Sequence, residues 1–221
     1  MFYNIFLGAE VEVMNMLPNE IEQASMKIIE RELAELGREF EGDVMPVVTR
    51  VIHATADFDF AETLAFSPGA VEAGICALKQ GVTIVTDTRM AAAGINKTFV
   101  AQNGGVVLCY MSDEDVAREA AERGLTRAVV SMERAAVKAP DAIYAIGNAP
   151  TALLRVCELA AEGKIKPTLI IGAPVGFVNV VESKEALMKI DCFPWITARG
   201  RKGGSTVAAA IINALLYSRK C

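Results

Sequence analysis

The stretch AIYAIGNAPTALLRV, residues 142–156, contains in order the three parts of an α/β unit. Its first six residues are apolar enough for a strand that is covered on both faces of a sheet. Gly147 ends this strand, Asn, Ala and Pro complete the turn, and then a helix rich in alanine and leucine begins. Strand, turn and helix in this order predict a parallel sheet with helices on both of its faces.

The same order recurs on both sides of this stretch. Short β-branched runs predict five strands, at 82–86, 105–110, 142–147, 168–173 and 194–198. Longer alanine-, leucine- and glutamate-rich runs predict eight helices, at 18–38, 47–57, 69–80, 113–123, 127–138, 150–162, 182–189 and 204–218. The predicted fold class is therefore a three-layer α/β/α sandwich around a five-stranded parallel sheet.

Nothing in the sequence divides this fold into parts. No repeat, charge block or linker rich in Pro, Gly and Ser interrupts the order, so residues 1–221 are predicted to form one domain. The first helix precedes the first strand, and its apolar positions Ile21, Ala24, Ile28 and Ile29 recur at helical spacing. We expect this helix to form an N-terminal arm or cover.

The composition restricts the classes of partner. A net charge of -5 leaves no extended basic surface, which argues against nucleic acid. Five widely spaced cysteines and one histidine do not form the pattern of a metal site. The longest apolar run, 207–217, is well short of the roughly 20 residues that cross a bilayer, and MFYNIFLGAEVEV at the start lacks the features of a signal peptide. We therefore expect a cytoplasmic protein without a membrane or metal partner.

Polar or glycine-rich turns follow four of the predicted strands. In doubly wound sheets, ligands bind beyond the carboxyl ends of the strands. The turns are DTRM (87–90), GNAPT (147–151), GAPVGFV (172–178) and RGRKGGS (199–205). The second and fourth lead directly into helices, so their ends are expected to present free backbone N–H groups to an anion. The basic residues of the last turn would make this edge attractive to anions.

An alternative explanation applies to each of these turns. Gly, Asn, Pro and Ser end strands and cap helices in α/β proteins whatever they bind. Asp87 is a candidate ligand contact, but it is equally placed to be the N-cap of a helix in TRMAAAG, residues 88–94. The spacing alone leaves both possibilities open.

The single histidine, His53, lies in the stretch PVVTRVIHATADF, residues 46–58. If this stretch is helical, Arg50, His53 and Asp57 recur at spacings of three and four and share one stripe. Histidine can both give and take a proton near neutral pH, and an arginine and a carboxylate beside it would tune that exchange. The stripe predicts acid/base chemistry; the alternative is a histidine that is only packed or on the surface.

Six blocks of the sequence resemble a known family. RVIHATAD, FSPGAVEAGICALKQG, TDTRMAAAGI, IGNAPTALLRV, GAPVGFVNVVESKEAL and RGRKGGS are similar to the blocks of precorrin-8X methylmutase, also called cobalt-precorrin-8 methylmutase, of corrin (vitamin B12, cobalamin) biosynthesis. The resemblance covers nearly the whole chain from about residue 18. It implies a flavodoxin-like three-layer fold, a homodimer and an isomerase that moves a methyl group from carbon eleven to carbon twelve of a tetrapyrrole. The product would be hydrogenobyrinate, or cobyrinate when cobalt is present, and no cofactor is implied.

The resemblance also implies roles for individual residues. His53 would be the proton donor and acceptor, and Ser25, Arg50 and Arg127 would contact the substrate. Six further residues lie in turns that match the family's blocks, and we infer from their position in these turns that they contact the substrate as well: Asp87, Asn148, Thr151, Arg199, Arg201 and Ser205.

Two other functions fit the same residues. A corrinoid carrier would hold the hydrogenobyrinate-type product and do no chemistry, so it would tolerate the loss of His53. An oxidoreductase or nucleotide-dependent enzyme would use Asp87 to hold a ribose, but the chain lacks the glycine-rich phosphate-binding fingerprint of such sites.

Overall fold

In the computed structural model, which describes residues 17–218, the chain folds around a six-stranded mixed sheet. The strands are β1 Leu64–Phe66, β2 Ile84–Thr86, β3 Val107–Leu108, β4 Ile143–Ile146, β5 Leu169–Gly172 and β6 Trp195–Ala198. Their order across the sheet is β1-β6-β5-β4-β2-β3. β1 runs antiparallel to β6, and the other neighbours are parallel. The five predicted strands are all present as β2 to β6, each shorter than predicted.

The expectation of five strands is wrong, because β1 adds a sixth at the edge. It pairs with β6 so that Leu64 lies opposite Ala198 and Phe66 opposite Ile196. Three residues are too few to show the alternation that marks a strand, and β1 begins directly after a four-residue helix. Its pairing is set by a strand more than 100 residues later in the chain, which no local pattern records.

The helices form layers on the two faces of the sheet. They are α1 Pro18–Glu35, α2 Met45–Thr55, α3 Phe60–Thr63, α4 Ala70–Lys79, α5 Arg89–Gly94, α6 Lys97–Gln102, α7 Glu114–Arg123, α8 Arg127–Lys138, α9 Pro150–Ala161, α10 Val180–Met188 and α11 Ser205–Tyr217. The eight predicted helices are all present, and the additional ones are the short helices α3, α5 and α6. In this part of the chain no helix is both long enough and apolar enough to cross a bilayer.

Alternation along the strands divides the interior into two cores. In β4, Ile143 and Ala145 belong to the core that α2, α4 and α11 cover, whereas Tyr144 and Ile146 belong to the core covered by α8 and α9. Side chains of successive strand residues point to opposite faces, so a strand buried on both sides is apolar throughout. This burial explains why AIYAIG has no polar position.

The predicted N-terminal arm is helix α1, which packs against α2. Ile29 and Leu33 are buried there, while Ile21 and Ile28 stay exposed. The arm therefore covers part of the helix that carries His53.

Candidate functional site

His53 lies on α2 with its side chain exposed beside a cavity of about 300 Å³. The cavity lies between α2, α5 and α11, and its lining includes Arg50, Met90, Thr206 and Asn213. Because α5 follows β2 and α11 follows β6, the cavity opens near the carboxyl ends of the parallel strands. The imidazole is therefore accessible to a ligand and is not packed in the core.

Arg50 lies one turn before His53 and is held from two sides. Its Nη1 donates to Glu22 Oε1 of α1 at 2.5 Å, and its guanidinium lies 5.0 Å from the ring centre of Tyr217 at the end of α11. The side chain lines two further cavities, of about 440 and 470 Å³, beside α1. Arg50 thus binds the arm through Glu22 and lines the same cavity as His53.

The predicted stripe of Arg50, His53 and Asp57 is wrong at its last member. Helix α2 ends at Thr55, and Ala56 takes a left-handed conformation with φ of 52°, which turns the chain away. Asp57 Oδ2 instead accepts from Lys202 Nζ at 2.7 Å, and this bond lowers the pKa of Asp57. The carboxylate ties the loop after β6 to the end of α2.

The loops after β5 and β6 pack against each other. The Gly204 N–H donates to the Ala173 carbonyl at 2.8 Å, and the Gly176 N–H donates to the Arg201 carbonyl at 3.3 Å. At Gly203 a Cβ would lie 2.3 Å from the Ala173 oxygen, so only glycine fits this contact. The two turns GAPVGFV and RGRKGGS therefore form one unit at the rim.

Two arginines of this unit carry free positive charge. The Arg201 guanidinium lies 5.3 Å from the ring centre of Phe177, whose side chain is 82% exposed. Within residues 17–218, neither Arg199 nor Arg201 forms an ion pair, in contrast to Lys202, which binds Asp57 and Asp59. Both residues are exposed in the loop after β6, so their positive charge is available to an anionic ligand.

Asp87 is fully buried and holds the turn after β4. Its carboxylate accepts hydrogen bonds from the backbone N–H groups of Gly147, Asn148 and Ala149 at 2.7 to 2.9 Å. Burial raises the pKa of this carboxyl, and the three N–H donors oppose the rise. The α5 cap is Thr88, which accepts from the Ala91 N–H. The N-cap alternative for Asp87 and the ribose hypothesis are therefore wrong: no atom of Asp87 faces solvent.

The starts of helices α9 and α11 differ, although both are expected to bind an anion. The Asp87 carboxylate already occupies the N–H groups that lead into α9. α11 begins after Gly204 and has no side-chain cap. The hydroxyl of Ser205 is hydrogen-bonded to Thr88 Oγ1 at 2.7 Å, and the residue is buried. Ser205 therefore fixes the helix start, and the backbone of the first turn remains for a ligand.

The other predicted contacts lie outside the His53 cavity. Ser25 is on α1, where its hydroxyl donates to the Ile21 carbonyl. Arg127 is the exposed first residue of α8. Thr151 Oγ1 lies 3.2 Å from Thr126 Oγ1, which brings the starts of α8 and α9 together on the second helix layer. Asn148 is exposed next to them. The structure thus places Arg127, Asn148 and Thr151 with the second helix layer, whereas Ser25 lies on the arm that packs against α2.

The sequence patterns did not identify three residues that the structure places near the site. Met90 is 70% exposed and lines the His53 cavity, although methionine next to an alanine run normally indicates core. Tyr217 stacks on Arg50 from the end of an almost entirely buried helix. Lys184 is buried beneath the loop after β6, a place that lysine rarely takes. Within residues 17–218, no cluster of His, Cys, Asp or Glu is arranged to bind a metal ion.

Comparison with known proteins assigns the family. Residues 20–218 match the family described as CbiC, precorrin-8X methylmutase. The cobalt-precorrin-8 methylmutase of Priestia megaterium is 45% identical over 93% of this chain and 90% of its own length. The precorrin-8X methylmutase of Pseudomonas aeruginosa is 41% identical over 80% of this chain and 86% of its own.

A solved structure agrees with this match. The crystal structure of precorrin-8X methylmutase from Thermus thermophilus superposes with a TM-score of 0.83 and 42% identity, and the alignment covers 90% of this chain and 94% of that one. Agreement in sequence and in fold over most of the chain shows that it belongs to the precorrin-8X methylmutase family, which are isomerases of cobalamin biosynthesis.

Proposed function

We propose that the chain moves a methyl group from carbon eleven to carbon twelve of precorrin-8X or cobalt-precorrin-8, with His53 as general acid and base. The product is hydrogenobyrinate or, with cobalt in the ring, cobyrinate. The observation that carries the proposal is the exposed imidazole on a cavity at the carboxyl edge of the sheet, in a chain of this family. The parallel strands, numbered in chain order, lie in the order 2-1-3-4-5, which supports the flavodoxin-like expectation.

The chemistry requires little besides a movable proton. The methyl group migrates within one molecule, so substrate and product have the same atoms and no electrons are gained or lost. His53 donates a proton to a ring nitrogen or to a nearby ring carbon, which makes the conjugated system electron-poor enough for the shift. The imidazole takes a proton back when the product forms, so the enzyme is restored. Arg50 holds a peripheral carboxylate and keeps the ring in register with the imidazole.

The edge of the sheet suits a flat ring with acidic side chains. A cavity of about 300 Å³ is at the lower end of small-molecule sites, so much of a corrinoid must extend beyond it. The exposed side chains of Met90, Phe177 and Val178 offer apolar surface at this rim. Arg199 and Arg201 bind peripheral carboxylates there, together with the uncapped start of α11.

The residues on the second helix layer are also proposed to contact the ligand. Arg127, Asn148 and Thr151 contact peripheral chains of the ligand that extend across the edge, in a homodimer whose second copy covers part of it. Ser25 contacts the substrate from the arm. Asp87 and Ser205 act indirectly, because their polar atoms are engaged within the protein.

Conversion of the substrate tests the proposal. The purified protein is incubated with precorrin-8X and with cobalt-precorrin-8, and absorption is followed as conjugation of the ring changes. We expect conversion of at least one of the two without any added cofactor. Tight binding of hydrogenobyrinate without turnover of either substrate would contradict the proposal and favour the carrier.

Carboxylate binding by the rim predicts a salt-sensitive loss of affinity. Arg201→Gln should weaken hydrogenobyrinate binding about fivefold at low ionic strength, because one exposed charge pair is removed, and less at high ionic strength. Titrations at two salt concentrations measure the effect. Arg118→Gln is the control, since Arg118 is exposed on α7 and likewise forms no ion pair among residues 17–218. Equal losses for both variants, or a loss that salt does not change, would argue against carboxylate binding by Arg201.

A further inference from the structure

Lys184 of α10 is buried without a carboxylate partner. Its side chain is only 1% exposed, and it forms no ion pair among the described residues. The ammonium donates instead to two backbone carbonyls, Gly200 O at 2.8 Å and Lys202 O at 2.7 Å. Both acceptors belong to the loop after β6, 16 and 18 residues further along the chain.

By itself, the buried ammonium of Lys184 destabilises the folded state. An ammonium that is removed from water and paired only with neutral oxygens loses hydration that two hydrogen bonds replace in part. The burial lowers the pKa of Lys184 to about 8. A methionine at this position would fill the same space without the desolvation cost. Packing therefore does not require the charge of Lys184. Its role must lie in the loop carbonyls to which the ammonium donates.

The loop that Lys184 holds is rich in glycine, so its order depends on its anchors. Gly200, Gly203 and Gly204 fall within five residues, and Gly200 and Gly204 have positive φ, of 70° and 130°. Glycine loses more conformational freedom on ordering than other residues. The other side-chain anchor of the loop is Lys202 on Asp57 and Asp59, an exposed ion pair that salt weakens. The buried ammonium is the anchor that solvent does not screen.

We propose that Lys184 is a positioning residue of the corrinoid site, which fixes the loop after β6 so that Arg199, Arg201 and the start of α11 face the ligand. This inference rests on the proposed function for the identity of the ligand. Lys184 touches no reacting atom; it acts through the two carbonyls. Its positive charge beneath the loop also favours an anion above it.

The test compares Lys184→Met with Lys189→Met, an exposed lysine at the end of the same helix. For Lys184→Met we expect the Kd for hydrogenobyrinate and the KM for substrate to rise about tenfold or more, because the binding groups lose their fixed geometry. kcat at saturation should change less than threefold, and Tm should stay the same or rise. Lys189→Met should match the wild type throughout. Lys184→Gln keeps an N–H donor without the charge and should recover part of the affinity.

A second measurement requires no ligand. Hydrogen exchange at the amides of residues 199–204 should become faster in Lys184→Met, with the remaining amides unchanged. Wild-type Kd and KM, or a variant that is unfolded or loses Tm without a selective change at the loop, would overturn the inference in favour of a purely structural lysine. If the wild type neither binds nor converts a corrinoid, the proposed function fails, and the exchange experiment still decides whether Lys184 fixes the loop.

Discussion

Replacing His53 by alanine is expected to lower kcat for the methyl shift by about 10²-fold or more, the scale of a lost general acid/base group. The affinity for hydrogenobyrinate should stay within about threefold of the wild type, because the arginines and the apolar rim that bind the ring are unchanged. The exposed position of His53 means that its removal leaves the core of α2 intact, so Tm should not fall. Single-turnover absorption kinetics and a binding titration measure the two effects separately.

Added imidazole supplies the control for this variant. The alanine leaves space in the cavity beside Met90 and Thr206, so free imidazole should restore part of the turnover. Such rescue would show that a proton carrier is missing and that the fold is not damaged. Turnover within a few-fold of the wild type in the alanine variant would remove His53 from the mechanism.

Asp87→Asn should lower the free energy of unfolding by about 2 kcal/mol, roughly 30-fold in the folding equilibrium. Both carboxylate oxygens of Asp87 now accept hydrogen bonds from backbone N–H groups. The asparagine amide has the same shape, but its NH2 group is a donor and would face at least one of these N–H donors. The turn at 147–149 would lose its anchor, and α9 would lose a negative charge at its positive end. Because Gly147 packs against the start of α11, turnover should fall as well, by about tenfold.

Urea unfolding and steady-state kinetics check this second result. Asp191→Asn is the control, since Asp191 is exposed before β6 at the opposite edge of the sheet and should change neither quantity. If Asp87→Asn kept the stability of the wild type but no longer bound hydrogenobyrinate, Asp87 would contact the ligand directly, contrary to its buried position in the structure.

Most of the fold follows from local sequence patterns. The five parallel strands are apolar on both faces, and the eight longer helices have a clear period, so these elements and their order were predictable. The edge strand β1 was not predictable, because its three residues acquire their role only by pairing with β6. The short helix α6 was missed, and a helix in TRMAAAG, which is α5, was only one of two possibilities, since six residues do not establish a helical period.

In the site, too, residues with a local spacing pattern could be predicted, whereas residues whose role depends on distant parts of the chain could not. The spacing of Arg50 and His53 predicted one face of α2, and the structure places both on one cavity. The expectation failed for Asp57 because helix α2 ends at Thr55 and the next residue, Ala56, has a left-handed backbone that no sequence signal indicates. The roles of Asp87 and Lys184 depend on backbone groups 60 to 62 and 16 to 18 residues away, which only the folded chain brings to them.

The central claim is that the imidazole of His53 exchanges a proton with the corrinoid, and ¹⁵N NMR of the ring tests it most directly. The chain contains one histidine, so protein labelled with ¹⁵N-histidine gives signals from this ring alone. Saturation with metal-free hydrogenobyrinate should shift the ¹⁵N resonance of at least one imidazole nitrogen of His53. The new value should be typical of an imidazole nitrogen that shares a proton with the ligand in a hydrogen bond. Ring resonances that stay the same in the free and the saturated protein would contradict the account.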